Sequence, residues 1–282
     1  MATALGSIAE IERELGAQRM GESGEPMQRT SVMTHLAWVP EQWVEAAEDV
    51  LAGLAERHPS RTIVLVPEPD ADDGLEARVE VDCYPVGGDR KVSMETIRLK
   101  LCGNRVQAPA SVVEPLLLPD LPVFLRWRGL PPFGERAFEQ LIDTVDRLIV
   151  DSTEWPGLPE PYEQLAEIFD RVAVSDIAWA RTSRWRPHLA TLWPGIGKVK
   201  RIKVKGTDGQ ANLLAGWLRS RLGHAVAVEH EPAQVLTSVY VDGKAIDAPP
   251  GEPPPPSELL SDQLERFTRD PVYEAAVRAA AE

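Results

Sequence analysis

Two apolar strand-like segments that flank a helical pattern constrain the fold of this 282-residue chain most strongly. The segment SVMTHLAWV at 31–39 is apolar enough for a buried strand, and RTIVLVP at 61–67 is a β-branched run of strand length. Between them, apolar residues recur at helical spacing from Trp43 to Leu54. A strand, a helix and a strand in this order predict a parallel βαβ unit, because a crossover helix joins neighbouring parallel strands.

The remainder of the first half predicts an antiparallel ribbon followed by a return to α/β alternation. Residues 77–85 and 92–103 alternate between apolar and polar side chains, which is typical of paired antiparallel strands. Residues 122–172 then carry the patterns of a strand, a helix, a strand and a helix. We therefore predict a Rossmann-like α/β domain over 30–173 with an inserted antiparallel ribbon.

The second half predicts a smaller α+β domain over 174–282. KVKRIKVKG at 198–206 alternates as a strand, and the segment 207–223 has one apolar helical face ended by a glycine. Two further strands follow, and Asp242-Gly243 is a β-hairpin signal.

The two ends of the chain carry weaker patterns. Residues 1–29 predict a flexible tail in which Ile8, Ile11 and Leu15 indicate a short helix. PPGEPPPP at 249–256 predicts a stiff linker, and the terminal helix after it is interrupted at Pro271.

The segment DIAWARTSRWRPHLATLW at 176–193 places three tryptophans and three arginines within eighteen residues of an acidic chain. It predicts one helix that Asp176 caps. Arginine and tryptophan are the residue types that dominate protein–protein hot spots, so the segment predicts a contact with another macromolecule. The alternative is that Trp179 and Trp193 form the core of the domain junction, with the arginines as exposed neighbours. The predicted partner-binding residues are Trp179, Arg181, Arg184, Trp185 and Arg186.

The charge balance favours some partners over others. The net charge is −14 and the isoelectric point about 4.9, which argue against attraction to nucleic acid or to anionic lipid. The strand at 198–206 is nevertheless basic on one side, and Arg201, Lys203 and Lys205 are predicted to face an anion or to form a solvated face. Nucleic-acid binding through this strand remains an alternative that the net charge disfavours.

Motifs of known catalytic and cofactor sites are lacking in the sequence. It contains no G-x-G-x-x-G, no G-x-x-x-x-G-K-[ST] and no G-x-S-x-G. The five histidines do not pair at helical spacing, and two cysteines are too few for a zinc cage. We therefore predict no catalytic residue, no metal and no cofactor. Cys83 and Cys102 fall on strands predicted to be neighbours, where they are either two small buried side chains or a redox pair.

The sequence also bears on location. It has no apolar run of about 18 residues and no secretory signal pattern, so we expect a cytoplasmic protein without a membrane span.

Four stretches together resemble a known family. These are TSVMTHLAWVPEQW from Thr30, PVFLRWRG, DRLIVDSTEW and above all SDIAWARTSRWRP. They are similar to the glucose-6-phosphate dehydrogenase assembly proteins, the OpcA family, over about Thr30 to Gly243. The resemblance implies a non-catalytic auxiliary subunit that binds glucose-6-phosphate dehydrogenase and promotes its oligomeric assembly or activation in the oxidative pentose phosphate pathway. It implies no catalytic residues, and it links cyanobacterial members to thioredoxin control through cysteines.

One function of another class remains open at this point. The basic strand and the loop Gly206–Gly209 before the next helix could belong to a sugar-phosphate or nucleotide-binding enzyme or sensor, since a helix N-terminus holds phosphate. The carboxylate of Asp208 in that loop opposes this hypothesis.

Overall fold

The computed structural model describes residues 5–20, 31–52, 54, 57–85 and 91–282. The chain divides into two compact units, Met1–Leu148 and Ile149–Glu282. The domain boundary predicted at 173–174 stays a prediction.

The helices and strands are named in chain order. The helices are α1 (Ile8–Gln18), α2 (Val44–Ala52), α3 (Ala110–Val113), α4 (Arg136–Thr144), α5 (Pro161–Glu167), α6 (Ile177–Arg181), α7 (Trp185–Ala190), α8 (Asp208–Leu222), α9 (Pro256–Leu264) and α10 (Pro271–Ala281). The strands are β1 (Met33–Trp38), β2 (Ser60–Glu68), β3 (Gly74–Pro85), β4 (Lys91–Cys102), β5 (Val123–Trp127), β6 (Arg147–Val150), β7 (Ala173–Asp176), β8 (Arg201–Gly206), β9 (Ala227–Pro232), β10 (Ser238–Val241) and β11 (Lys244–Ile246).

A mixed seven-stranded sheet is the larger of the two sheets, with the strand order β3-β4-β2-β1-β5-β6-β7. Strand β1 pairs in parallel with both β2 and β5, and α2 lies between β1 and β2 in the chain. The predicted parallel βαβ unit is therefore confirmed. Leu36, Ile63 and Leu125, at the middle of these three strands, are fully buried, as expected for parallel strands covered on both faces.

The predicted antiparallel ribbon is confirmed as the pair β3 and β4. Strand β4 pairs antiparallel with β3 and in parallel with β2, so the ribbon forms one edge of the main sheet. The alternation in the sequence reveals the β3–β4 pair. It does not reveal the second neighbour of β4, because that pairing depends on residues about thirty positions away.

The register of the ribbon rules out the predicted redox pair. Cys83 lies opposite Ser93, and Cys102 lies opposite Gly74, so the two cysteines are nine residues apart along the ribbon. At about 3.3 Å per residue their Cα atoms are about 30 Å apart, whereas a disulfide needs Cα atoms within about 7 Å. The strands are neighbours as predicted, but the pairing of Cys83 with Cys102 is wrong.

The first part of the predicted flexible tail is a helix. Helix α1 buries Ile11 and Leu15 completely, which confirms the short helix and corrects the tail prediction over Ile8–Gln18. A buried ion cluster adds to this packing: Arg61 contacts Glu95 (Nε–Oε2 2.7 Å) and Glu12 (Nη1–Oε1 3.1 Å). The tail prediction for 1–4 and 21–29 falls outside the described residues.

The second unit contains a four-stranded sheet with the order β11-β10-β8-β9. Ile202 and Val204 of β8 are fully buried, as the alternation predicted. Strands β10 and β11 pair antiparallel across Asp242 (φ 47°) and Gly243 (φ 84°), which confirms the predicted hairpin.

Helices α8 and α10 approach each other at Gly216. A Cβ atom built on Gly216 would lie 2.1 Å from the carbonyl oxygen of Ala276 and 2.9 Å from the Cβ of Ala280. Glycine is required here by the close approach of the α10 backbone, not by its own φ angle.

Gly216→Ala should therefore destabilise the protein by about 1–3 kcal/mol, because the added methyl group forces α8 and α10 apart. Gly16→Ala is the matched control, since a Cβ on this residue of α1 meets no atom within 4 Å. It should be neutral or stabilising by up to about 1 kcal/mol through helix propensity. Urea unfolding of both variants checks this, and equal effects would contradict the close approach.

Candidate interface at the tryptophan and arginine segment

The segment 176–193 folds into two short helices, α6 and α7, so the single predicted helix is wrong. Asp176 caps α6 as predicted, because its side chain accepts a hydrogen bond from the backbone N–H of Ala178 (2.8 Å). The helix ends where the hydroxyl of Thr182 donates to the carbonyl of Trp179 (2.7 Å). A turn after Thr182 separates α6 from α7.

Asp176 is the centre of a buried hydrogen-bond network that sequence analysis recognised only as a helix cap. Its carboxylate accepts from the backbone N–H of Ser152 (3.1 Å), from the Ser152 hydroxyl (2.7 Å) and from the Tyr273 hydroxyl (3.4 Å). The hydroxyl of Tyr162 donates in turn to Ser152 Oγ (2.9 Å). The network connects residues 97 positions apart in the chain, so no local sequence signal reveals it.

Burial dominates the electrostatics of this network. Removal from water raises the pKa of Asp176 to about 6, with the nearby Asp151 carboxylate acting in the same direction. The hydrogen bonds from Ser152 and Ala178 oppose that rise, since they favour the charged form. Burial and the Asp176 charge also raise the pKa of Tyr162 and Tyr273 well above the usual value of 10, so both hydroxyls remain protonated donors.

The side chain of Arg181 forms an ion pair within the second unit. Its Nη1 donates to both carboxylate oxygens of Asp151 (2.9 Å each) and lies 3.1 Å from Thr153 Oγ1. Asp151 is buried, and it also accepts from the hydroxyl of Thr153 (2.7 Å). The guanidinium therefore balances a buried carboxylate and positions the end of β6.

Trp179 and Arg186 form an internal stack. The Arg186 guanidinium carbon lies 3.3 Å from the ring centroid of Trp179, and Trp179 Nε1 donates to Asp270 (3.0 Å). Asp270 also caps α10 by accepting from the N–H groups of Val272 and Tyr273. Partial burial lowers the pKa of Arg186 to about 10, against the opposing effect of Asp270.

Trp185 and Arg184 also make internal contacts. Trp185 is 5 % exposed and belongs to the core of the smaller sheet together with Leu189 and Ile202. Arg184 Nη2 donates to the carbonyl of Pro249 (2.9 Å) and contacts the next two carbonyls as well. Arg184 thereby fixes the proline-rich segment 249–256.

The structure therefore assigns internal contacts to all five predicted partner-binding residues. Trp179 is buried, as the alternative expected, and so is Trp185. The alternative is wrong for Trp193, which is exposed.

Trp193 is the exposed aromatic residue of the segment. It lies beyond α7 at 69 % exposure, with its indole over Gly197, where a Cβ would come within 2.9 Å of the ring. The single helix predicted over 176–193 gave no reason to select Trp193. The following Pro-Gly pair, which indicates a turn, was the signal that the helix had already ended.

The basic face of β8 is neutralised by its neighbour β9. Arg201 pairs with Glu229 (3.2 Å), while Lys203 and Lys205 both pair with Glu231 (2.7 and 2.8 Å). The hydrogen bonds from these two lysines lower the pKa of Glu231 to about 2. The predicted anion-facing surface is therefore wrong: this face carries alternating charges, which also removes the support for a phosphate site there.

Within the described part of the chain, no helix combines the length and the apolar content that crossing a membrane requires. Within the same residues, no three His, Cys, Asp or Glu side chains converge in a way that could hold a metal ion.

Two family models match this chain one after the other and together cover well over half of it. Residues 52–169 match the glucose-6-phosphate dehydrogenase subunit N-terminal domain, and residues 172–249 match the C-terminal domain of the same subunit. The chain belongs to the OpcA family. The segment 176–193 lies inside the second match, whereas its partners Asp270 and Tyr273 lie beyond it.

Similar proteins from three cyanobacteria carry the name OxPP cycle protein OpcA. The identities are 27% over 182 residues for Synechocystis sp., 26% over 183 for Synechococcus elongatus and 28% over 182 for Nostoc punctiforme. Each alignment covers 60% of this chain but only 38, 41 and 39% of the relative. The matched part of this OpcA chain thus spans about two fifths of the length of these curated relatives.

Asp176→Asn should lower the free energy of unfolding by less at pH 8 than at pH 5. The pKa of Asp176 is about 6 in the folded protein against 3.8 as its usual value. Between these two pH values the folded state therefore holds a proton that the unfolded chain has released. The free energy of unfolding of the wild type falls as the pH rises towards and through 6. Asparagine does not titrate, so the wild-type advantage shrinks over this range. Urea unfolding at both pH values measures the difference, and a pH-independent cost would contradict the raised pKa.

Arg186→Glu should lower the free energy of unfolding by about 2–3 kcal/mol, because it places a carboxylate against the face of Trp179 and near Asp270. Ser183→Glu is the control, since this exposed residue lies in the turn between α6 and α7. It introduces the same charge and should change stability by less than about 0.5 kcal/mol. Thermal unfolding distinguishes the two variants, and a harmless Arg186→Glu would show that the stack contributes nothing.

Proposed function

We propose that this protein is a non-catalytic auxiliary subunit that binds glucose-6-phosphate dehydrogenase in the cytoplasm and promotes its oligomeric assembly or activation in the oxidative pentose phosphate pathway. The observation that carries this proposal is the match to both domains of the dehydrogenase subunit, in order, on one chain. The curated relatives support the pathway through the name they carry.

The contacts of the candidate interface support a binding role over a catalytic one. The carboxylates of Asp151 and Asp176 both have structural roles. Asp151 forms an ion pair with Arg181, and Asp176 accepts four hydrogen bonds from protein donors. A group fixed in this way orients its neighbours but has no lone pair directed at a substrate. Promotion of assembly requires that the subunit bind the assembled dehydrogenase more tightly than the unassembled one.

Trp193 is the residue that we propose as the main contact with the dehydrogenase. An indole that is 69 % exposed is unusual on a protein surface, and tryptophan is the residue type most enriched at binding hot spots. Helix α7 is anchored by the buried Trp185 and Leu189 and fixes the start of the loop that carries Trp193. In this proposal the segment 176–193 supports the contact, and only its last residue makes it.

We also propose a Rossmann-like topology for the main sheet. With the edge strand β3 set aside, the order β4-β2-β1-β5-β6-β7 corresponds to the doubly wound order 3-2-1-4-5-6. The predicted boundary at 173–174 is kept as a proposal, supported by the change of family model between residues 169 and 172.

Trp193→Ala should raise the concentration of this protein needed for half-maximal activation of the dehydrogenase by about tenfold or more. Phe267→Ala is the matched control, because Phe267 is 67 % exposed in the same unit and should leave activation unchanged. The assay measures dehydrogenase activity and oligomer size against the concentration of each variant. Both variants should unfold like the wild type.

The outcomes separate two claims. Failure of the wild-type chain to bind, assemble or activate the dehydrogenase would contradict the proposed function. Activation by Trp193→Ala at wild-type concentrations would leave the function intact and contradict the role of Trp193.

A further inference from the structure

A cleft of about 530 Å³ in the second unit has the size of a small-molecule site. Trp185, Leu236 and Leu259 form apolar walls, and prolines from the segment 249–256 close one side. Rings of proline and tryptophan offer flat apolar faces. The proposed contact residue Trp193 does not line this cleft, so the cleft is separate from the proposed dehydrogenase contact.

Gln210 lines the cleft and has an unused donor. Its side chain is fully buried, and its Oε1 accepts from the backbone N–H of Thr207 (3.0 Å) in a capping box at the start of α8. Its Nε2 is buried and has no hydrogen-bond partner among the described residues. A buried amide donor without an acceptor is unfavourable, so an acceptor brought by a ligand would stabilise this site.

The charge of the cleft is positive although the chain is acidic. Its ionisable lining residues are Arg181 and Arg184, and no carboxylate lines it among the described residues. Asp151 balances Arg181, as described above. The partners of Arg184 are backbone carbonyls, so they leave its positive charge without a matching anion.

Asp208 at the start of α8 does not oppose an anion in this cleft. Its carboxylate accepts from Asn212 Nδ2 (2.9 Å), lies 3.7 Å from the ring of His230 and is not part of the cleft lining.

We propose that this cleft binds a small organic anion with a ring-sized apolar body. The Nε2 of Gln210 and the guanidinium of Arg184 contact the anionic group, and the ring packs against the walls formed by Trp185 and the prolines. This binding occurs on the isolated chain and does not depend on the proposed interaction with the dehydrogenase.

Two dyes of matched shape test the proposal by fluorescence titration. The dye 8-anilinonaphthalene-1-sulfonate carries an anionic group on its rings, and N-phenyl-1-naphthylamine has the same rings without the charge. We expect the wild-type chain to bind the anionic dye with one saturable site.

Gln210→Glu should weaken that binding by about tenfold or more, because it replaces the donor with a carboxylate that repels the anion. Glutamate also fits the capping box, so α8 keeps its N-terminal hydrogen bonds.

Arg184→Gln should also weaken binding of the anionic dye by about tenfold or more. Arg201→Gln is the matched control, since it removes one positive charge from an exposed strand outside the cleft. Gln210→Glu should leave the affinity for the neutral dye unchanged. Arg184→Gln also releases the proline wall that Arg184 holds, so it should weaken the anionic dye more than the neutral one. The proposal is overturned if the anionic dye does not bind, if both cleft variants bind it like the wild type, or if both dyes lose affinity in parallel. Thermal unfolding of each free variant shows that the cleft variants remain folded.

Discussion

The buried carboxylate of Asp176 is the interaction on which the second unit depends. It caps α6, accepts twice from Ser152 at the end of β6 and receives the hydroxyl of Tyr273 from α10. A charge in this position is tolerated only because protein donors replace water around it. Once Asp176 is fixed, the direction of α6 is fixed, and the side chain of Trp179 is placed against Tyr273 (5.8 Å between ring centroids).

The tryptophans and arginines of the segment 176–193 follow from that constraint. Trp179 lies between Arg186 and Asp270, and Arg181 reaches back to Asp151. These contacts place positive side chains over a buried aromatic ring and beside a buried carboxylate. The same properties that make arginine and tryptophan effective in interfaces make them effective here, so residue type alone does not distinguish the two roles. Exposure distinguishes them, and Trp193 is the aromatic residue of the segment that remains at the surface.

Local patterns predicted the elements of this fold well, because strand alternation and helical spacing are properties of neighbouring residues. The βαβ unit at 31–67, the hairpin at Asp242 and the buried face of β8 all follow from such patterns. Properties set by distant residues could not be predicted. The register that separates Cys83 from Cys102 depends on the whole ribbon, and the pairing of β8 with an acidic β9 is a tertiary feature. For the same reason, the donors of Asp176 and the orphan amide of Gln210 had no signal in the sequence.

The central claim is that residues 176–190 form an internal framework and that the loop after α7, which carries Trp193, meets the dehydrogenase. Hydrogen-exchange mass spectrometry of this chain, alone and with glucose-6-phosphate dehydrogenase, tests it most directly. We expect slow exchange in 176–181 without the partner and no further change with it, together with new protection over 191–198 in the complex. New protection confined to other parts of the chain, with 191–198 unchanged, would contradict the claim.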